Sequence, residues 1–206
     1  MTGPAANPTS GPAPGHQAGT GSPTDGPGTE ALLIGGRSGV GKSSVGWEIT
    51  ALLKAADVAH TYIEGDTLDQ AFPKPPDDPT LATLTEQNLR ALWRNFAARG
   101  QHRLIYTNTA AVLEADLIRR ATGAARCIGV LLTASDDTTH GRLAAREIGS
   151  ELDLHTRRSA EMAARLDRDT PTWVHRVPTD HRTVTAIATE ILTLTAWSPT
   201  TPPQSE

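Results

Sequence analysis

Cysteine is almost missing from this chain. Cys127 is the single one among 206 residues, which excludes an internal disulfide and a cysteine metal cage and fits a reducing cytoplasm. Lysine is nearly as scarce, standing only at positions 42, 54 and 74, so positive charge rests on arginine. There is no positive excess either: the formal net charge is -4, the wrong sign for a protein that coats nucleic acid through its phosphates. No apolar run approaches the roughly 20 residues that a membrane helix needs, and the amino-terminal stretch lacks the basic start and apolar segment of a secretory signal. A soluble cytoplasmic protein is expected, with neither membrane nor nucleic acid as partner; monomer and homodimer both stay open.

Branched and aromatic side chains are missing from one long stretch. Residues 1–28 contain no Leu, Ile, Val or aromatic residue and one charged side chain, Asp25, among closely spaced Gly and Pro. Nothing there offsets the entropy of ordering, so a disordered tail is expected, and 198–206 has the same character. The remaining 29–197 suffices for one domain.

What that domain contains is an alternation. Ala31-Leu32-Leu33-Ile34-Gly35 is a continuous apolar run of the kind a buried parallel strand uses. Val45, Ile49, Leu52 and Leu53 then form one stripe of a helix. A second strand is predicted at 60–64, a helix with Leu89, Leu92, Trp93 and Phe96 on its buried face, and a third strand at 103–106. A short helix over 112–121, a strand at 128–132 and a helix over 136–146 follow. Leu154, Arg158, Met162 and Leu166 mark another helix, 173–177 a fifth strand, and Val184, Ile187, Ile191 and Leu194 a closing helix. Strands alternating with helices predict the α/β class, with a five-stranded, mostly parallel sheet covered on both faces.

Between the first strand and the first helix, Gly36-Arg37-Ser38-Gly39-Val40-Gly41-Lys42-Ser43 fills the pattern G-x-x-x-x-G-K-[ST] in full, in the context a phosphate loop requires. A Gly-rich turn that merely joins strand to helix is the plainer reading, and the full match argues against it. The pattern predicts a P-loop NTPase fold, with ATP cradled from Gly36 to Ser43 and by Ser44 in the first helical turn. Backbone N–H groups and the helix N-terminus face the phosphates, Lys42 reaches the β- and γ-phosphates, and the Ser43 hydroxyl ligates Mg2+. No Asn-Lys-x-Asp motif is present, which excludes a guanine-reading GTPase. The third strand ends Ile105-Tyr106-Thr107-Asn108-Thr109 and the fourth Leu132-Thr133, without the acid a motor ATPase places there.

Acidic residues stand instead at Glu64-Gly65-Asp66, after the second strand. Strand periodicity puts residues two apart on one side, so both carboxylates are predicted to face the cleft at the carboxyl edge of the sheet. One would hold a metal-bound water and the other accept the proton of a substrate hydroxyl, an assignment that composition and spacing leave open.

Together these residues resemble the small P-loop metabolite kinases, a group including gluconate, shikimate and adenylylsulfate kinases. The resemblance runs over about 31–197. It rests on the Gly-rich loop, on Tyr62-Ile63-Glu64-Gly65-Asp66-Thr67-Leu68, and on Arg142-Leu143-Ala144-Ala145-Arg146, which is similar to the gluconate kinase run. It implies that Asp66 faces the acceptor hydroxyl, that Glu64 stands near the magnesium water shell, that Arg142 packs flat on adenine and that Arg146 reaches the phosphates. Arg142 and Arg146 lie four apart on one helix face, and planar guanidinium groups suit both tasks. A short lid at 147–151 is implied as well, with Arg157 and Arg158 adding charge. The segment 148–152 departs from the gluconate kinases, and 70–79 matches none of these families, so the acceptor is not legible.

The expectation is therefore an ATP- and magnesium-dependent kinase acting on a hydroxyl of a small molecule, with Lys42, Asp66 and Arg146 as catalytic groups. A nucleoside or nucleotide kinase and a non-catalytic ATP-binding regulator are the alternatives. The seven histidines show no metal-ligand spacing, and of them only His155 and His175 are kept in view. Trp47, Trp93, Trp173 and Trp197 are expected in core or docking positions, and Pro73-Lys74-Pro75-Pro76 in a loop over the substrate cleft.

Overall fold

In a computed structural model the chain is described over residues 28–146 and 152–197, the side chains of 145–146 and 152–158 excepted. The tails expected at 1–28 and 198–206, apart from Gly28, and the lid expected at 147–151 lie outside the described residues.

The first apolar run forms β1 (Glu30–Gly35), with Leu32 and Ile34 buried on one face and Ala31 and Leu33 on the other. Two-sided burial calls for a central position. Accordingly β1 pairs in parallel with β3 (Arg103–Thr107) on one side and β4 (Arg126–Thr133) on the other. β2 (Thr61–Glu64) lies beyond β3 and β5 (His175–Pro178) beyond β4, giving the order β2-β3-β1-β4-β5. Every neighbouring pair is parallel, so the sheet is wholly parallel rather than mostly so.

Parallel neighbours need crossover connections, and the helices supply them while covering both faces. α1 (Lys42–Ala55) packs on α6 (Val184–Thr195) over the face that carries Leu32 and Ile34, with Val45, Ile49, Ile187 and Ile191 in one cluster. α2 (Ala82–Ala97) and α3 (Ala115–Thr122) cover the opposite face around Leu33, Leu104 and Tyr106. α4 (Asp136–Arg146) packs on α5 (Leu152–Asp169), whose Leu166 joins Leu131, Val112 and Val174.

Boundaries moved where turn chemistry intervenes. β5 starts two residues later than the apolar run suggests, because the Val174 N–H closes a turn onto Pro171 O at 3.1 Å. α3 starts at Ala115 rather than 112, because the N–H groups of Leu113 and Glu114 both return to Ala110 O, at 2.8 and 3.1 Å. On α2, Leu89 and Trp93 are buried while Leu92 and Phe96 stay partly exposed, so its apolar stripe is wider than the surface it covers. No helix among the described residues is long and apolar enough to cross a membrane.

Candidate active site

At its carboxyl end β1 stands between β3 and β4, the place where an open parallel sheet leaves a crevice between diverging connections. The loop that follows is pinned there: Gly36 N–H donates to Thr109 O at 3.1 Å, and Asn108 N–H donates to Ile34 O at 3.3 Å. Gly36 has φ 145°, and a β-carbon on it would meet Leu132 O at 2.7 Å and Val40 Cγ2 at 2.9 Å, so no other residue fits. Gly41, at φ 98°, is the N-cap of α1, and a β-carbon there would meet nothing within 4 Å. Backbone strain demands glycine at that position, while the space beside it is open.

That open space is bordered by N–H groups. α1 has no side-chain cap and no acidic residue in its first turn, so the first-turn N–H groups and the positive end of the helix dipole face outward together. Ser43 and Ser44 are exposed on this turn, and Val40 is buried, contributing backbone alone. Lys42 Nζ lies along the loop, donating to Gly36 O at 2.9 Å and Arg37 O at 3.3 Å. A cation held across the mouth of this cradle suits polyanionic phosphates.

Arg37, placed with the nucleotide ligands by the motif, has its side chain elsewhere. It is buried behind the loop, where Nε donates to Ser159 Oγ at 3.0 Å and a guanidinium nitrogen pairs closely with Asp136. The Ser159 hydroxyl in turn donates to Ser38 O at 3.3 Å. Arg37 and Ser38 thus tie the loop to α4 and α5, and any contact of Arg37 with phosphate is through its backbone. Arg142 lies on the other flank, donating to Gly39 O and Val40 O, both at 3.3 Å, and to Thr179 Oγ1 at 3.1 Å and Thr179 O at 3.3 Å. Those bonds fix the guanidinium edge between the loop and the turn after β5, on an exposed residue. Nearby, the Thr138 side chain, then the hydroxyl and backbone of Ser135, hold the Asp180 carboxyl down at about 2. Arg146 closes α4, and its side chain, like those of Arg157 and Arg158, lies outside the described residues.

Glu64 and Asp66 do not share a face. β2 ends at Glu64, and Gly65–Thr67 turns into a 3-10 helix, so the period of two stops one residue too early. The pair that does share a face is Tyr62 and Glu64. The Tyr62 hydroxyl donates to Glu64 Oε1 at 2.8 Å and lies 3.1 Å from Thr107 Oγ1, with Ser43 as a further polar neighbour. Burial, against the opposing pull of Thr107, raises the Tyr62 pKa, so the phenol keeps its proton. Ser43 and Glu64 therefore border one hydroxyl, and two hard oxygen donors so placed fit a magnesium ion that keeps most of its waters.

Asp66 is exposed on the turn and looks to other groups. The Tyr106 hydroxyl, fully buried and without a hydrogen-bond partner, has its pKa raised by burial and then by Glu114, Asp66 and Asp69. The Glu114 carboxyl is likewise raised, by burial first and by Asp69, against a lowering influence from Arg165. A half-buried acid at the start of α3 carries no sequence signal. Tyr62 carried one, since it precedes Glu64 by two within a strand. His175 is exposed on β5, and Trp47 is 57% exposed while Trp93 and Trp197 are core residues.

A Gly-rich phosphate loop leaving the central strand of a wholly parallel, helix-covered sheet defines an α/β protein of the P-loop fold. No family profile and no curated protein compared with the chain matches it. Solved structures do. The gluconokinase from Sinorhizobium meliloti 1021 is 22% identical with a TM-score of 0.52, over 84% of this chain and 94% of its own. A shikimate kinase from Bacteroides thetaiotaomicron is 15% identical with a TM-score of 0.54, over 82% and 98%. The Mycobacterium tuberculosis APS kinase, in complex with AMPPNP and APS, is 19% identical with a TM-score of 0.53, over 82% and 99%. At such identities the likeness establishes fold: the chain has the fold of the P-loop small-molecule kinases.

Proposed function

We propose that this protein is an ATP-dependent kinase that transfers the γ-phosphoryl group to a hydroxyl of a small molecule. The observation that supports it most is the meeting, at one sheet edge, of the phosphate cradle, the oxygen pair Ser43 and Glu64, and the Asp66 turn. The nucleotide analogue in the Mycobacterium structure, on the same fold, supports ATP as donor.

In this reading the loop N–H groups and Lys42 bind the phosphates and offset charge as it shifts toward the leaving oxygen. Ser43 and Glu64 would hold magnesium, which would supply positive charge beside the phosphates. Asp66 orients the acceptor hydroxyl and takes its proton as the new O–P bond forms and the bond from the γ-phosphorus to the bridging oxygen breaks, releasing ADP. Arg142 would hold adenine and Arg146 the phosphates.

The test is transfer from γ-labelled ATP to a pooled panel of sugars, sugar acids, nucleosides, nucleotides and antibiotic-like alcohols. A labelled product is expected, and Asp66→Asn should cut its turnover by about a hundredfold while leaving nucleotide affinity nearly intact. Tight ATP binding with no labelled acceptor across the panel would favour an ATP-controlled regulator. Full activity in Asp66→Asn would remove Asp66 from the chemistry.

A further inference from the structure

The phenol between Ser43 and Glu64 is unusual because it is so firmly placed. Gly46, in the second turn of α1, gives the ring its room: a β-carbon there would meet Tyr62 Cε2 at 2.7 Å and Cζ at 3.1 Å. The ring therefore lies directly under the helix that carries Ser43. Trp47 closes the outer side, edge-on, with ring centroids 4.6 Å apart and planes at 63°. Thr107, buried at the end of β3, supports the hydroxyl from the sheet side.

A phenol has one proton and an oxygen that accepts two bonds. The proton goes to Glu64 Oε1, which fixes that carboxylate's orientation and leaves its other oxygen to face elsewhere. The Thr107 hydroxyl then donates to the phenol oxygen, and Ser43 is a further polar neighbour of it. A serine that gives a lone pair to a metal must direct its own proton elsewhere, and the phenol oxygen is an acceptor in place for it. Outer partners of this sort set the aim of metal ligands.

We propose that Tyr62 is a positioning residue for the metal, holding the Glu64 carboxylate and the Ser43 hydroxyl aimed at one divalent cation. The proposal rests on the kinase reading only in taking the loop to bind a metal–nucleotide complex. It adds a residue that acts through Glu64 and Ser43.

Mn2+ binding to the full-length protein loaded with a non-hydrolysable ATP analogue, followed by electron paramagnetic resonance, tests it. Tyr62→Phe keeps the ring and loses the hydroxyl. It should weaken Mn2+ binding about tenfold, with metal-free nucleotide affinity by calorimetry and the thermal midpoint unchanged. Glu64→Gln should weaken Mn2+ to a similar extent, and the double variant should lose little more, because the two act as one unit. Wild-type Mn2+ affinity in Tyr62→Phe, or full additivity in the double variant, overturns the proposal. The metal measurement needs no acceptor, so a protein that binds Mn2+ and nucleotide but transfers no phosphate would sink the kinase reading while leaving the Tyr62 result to stand on its own.

Discussion

Lys42→Ala is expected to lower kcat/KM for phosphate transfer about a thousandfold, the upper range for removing one well-placed donor from a developing anion. The side chain sits in the first turn of α1 and spans the loop, reaching Gly36 O and Arg37 O. Alanine is a good helix former, so α1 should persist and the thermal midpoint should move little. What is lost is the positive charge inside a cradle otherwise lined by backbone dipoles. Nucleotide affinity should fall as well, since on the proposed reading Lys42 would contact phosphates in the ground state and the transition state alike. Trp47, exposed on the helix that begins in the loop, gives a fluorescence signal for that titration. A loss under tenfold in kcat/KM would mean that the phosphates are held somewhere other than this loop.

The second large effect is on stability. Gly65 lies against the tip of Tyr106: a β-carbon would stand 2.5 Å from Tyr106 Cζ, closer still to the hydroxyl, and 2.9 Å from Asn108 Cβ. Tyr106 is fully buried among Leu33, Leu104 and Ile63 and cannot swing away, so Gly65→Ala forces the 3-10 turn off the end of β2. Overpacking of this kind costs about 1–3 kcal/mol, which for a chain of this size lowers the thermal midpoint by about 5 °C. Activity should fall further than stability, because the displaced turn carries Asp66. Tyr106→Phe removes the atom in closest conflict, a buried hydroxyl with no partner. Alone it should be neutral or slightly stabilising, and combined with Gly65→Ala it should restore a large part of the loss. A Gly65→Ala protein as stable as wild type would show that the turn can slide without cost.

The two glycine-dependent sites differ in how far they could be read in advance. The loop was legible because its chemistry fixes spacing: N–H groups must curl around phosphate, so glycines fall at set offsets between an apolar run and a helical stripe. β1 was legible for the same physical reason that makes it central, since burial on both faces leaves no polar side chain from Ala31 to Gly35. The turn after β2 was not. Two carboxylates two apart look like one face of a strand, and nothing in Glu64-Gly65-Asp66 announces that Gly65 yields to the bulk of Tyr106, some forty residues on in the chain. The motif likewise gives Arg37 no character of its own, and its burial depends on Ser159 and Asp136, partners that only the packed helices bring near. The sequence places Tyr62 two before Glu64 on a strand, but its fixed place under α1 depends on the room that Gly46 leaves.

The strand order carries one more consequence. Both neighbours of β1 lie far along the chain: Glu30 is matched with Arg103 on one side and with Arg126 on the other. β1 has no local partner, so the loop that follows it has no fixed shape until the middle of the sequence has collapsed around it. Contacts of such long sequence separation slow folding. The Gly-rich loop is thus among the last parts of the fold to become competent, and a nucleotide that bound only the finished loop would add to stability without helping the chain to reach it.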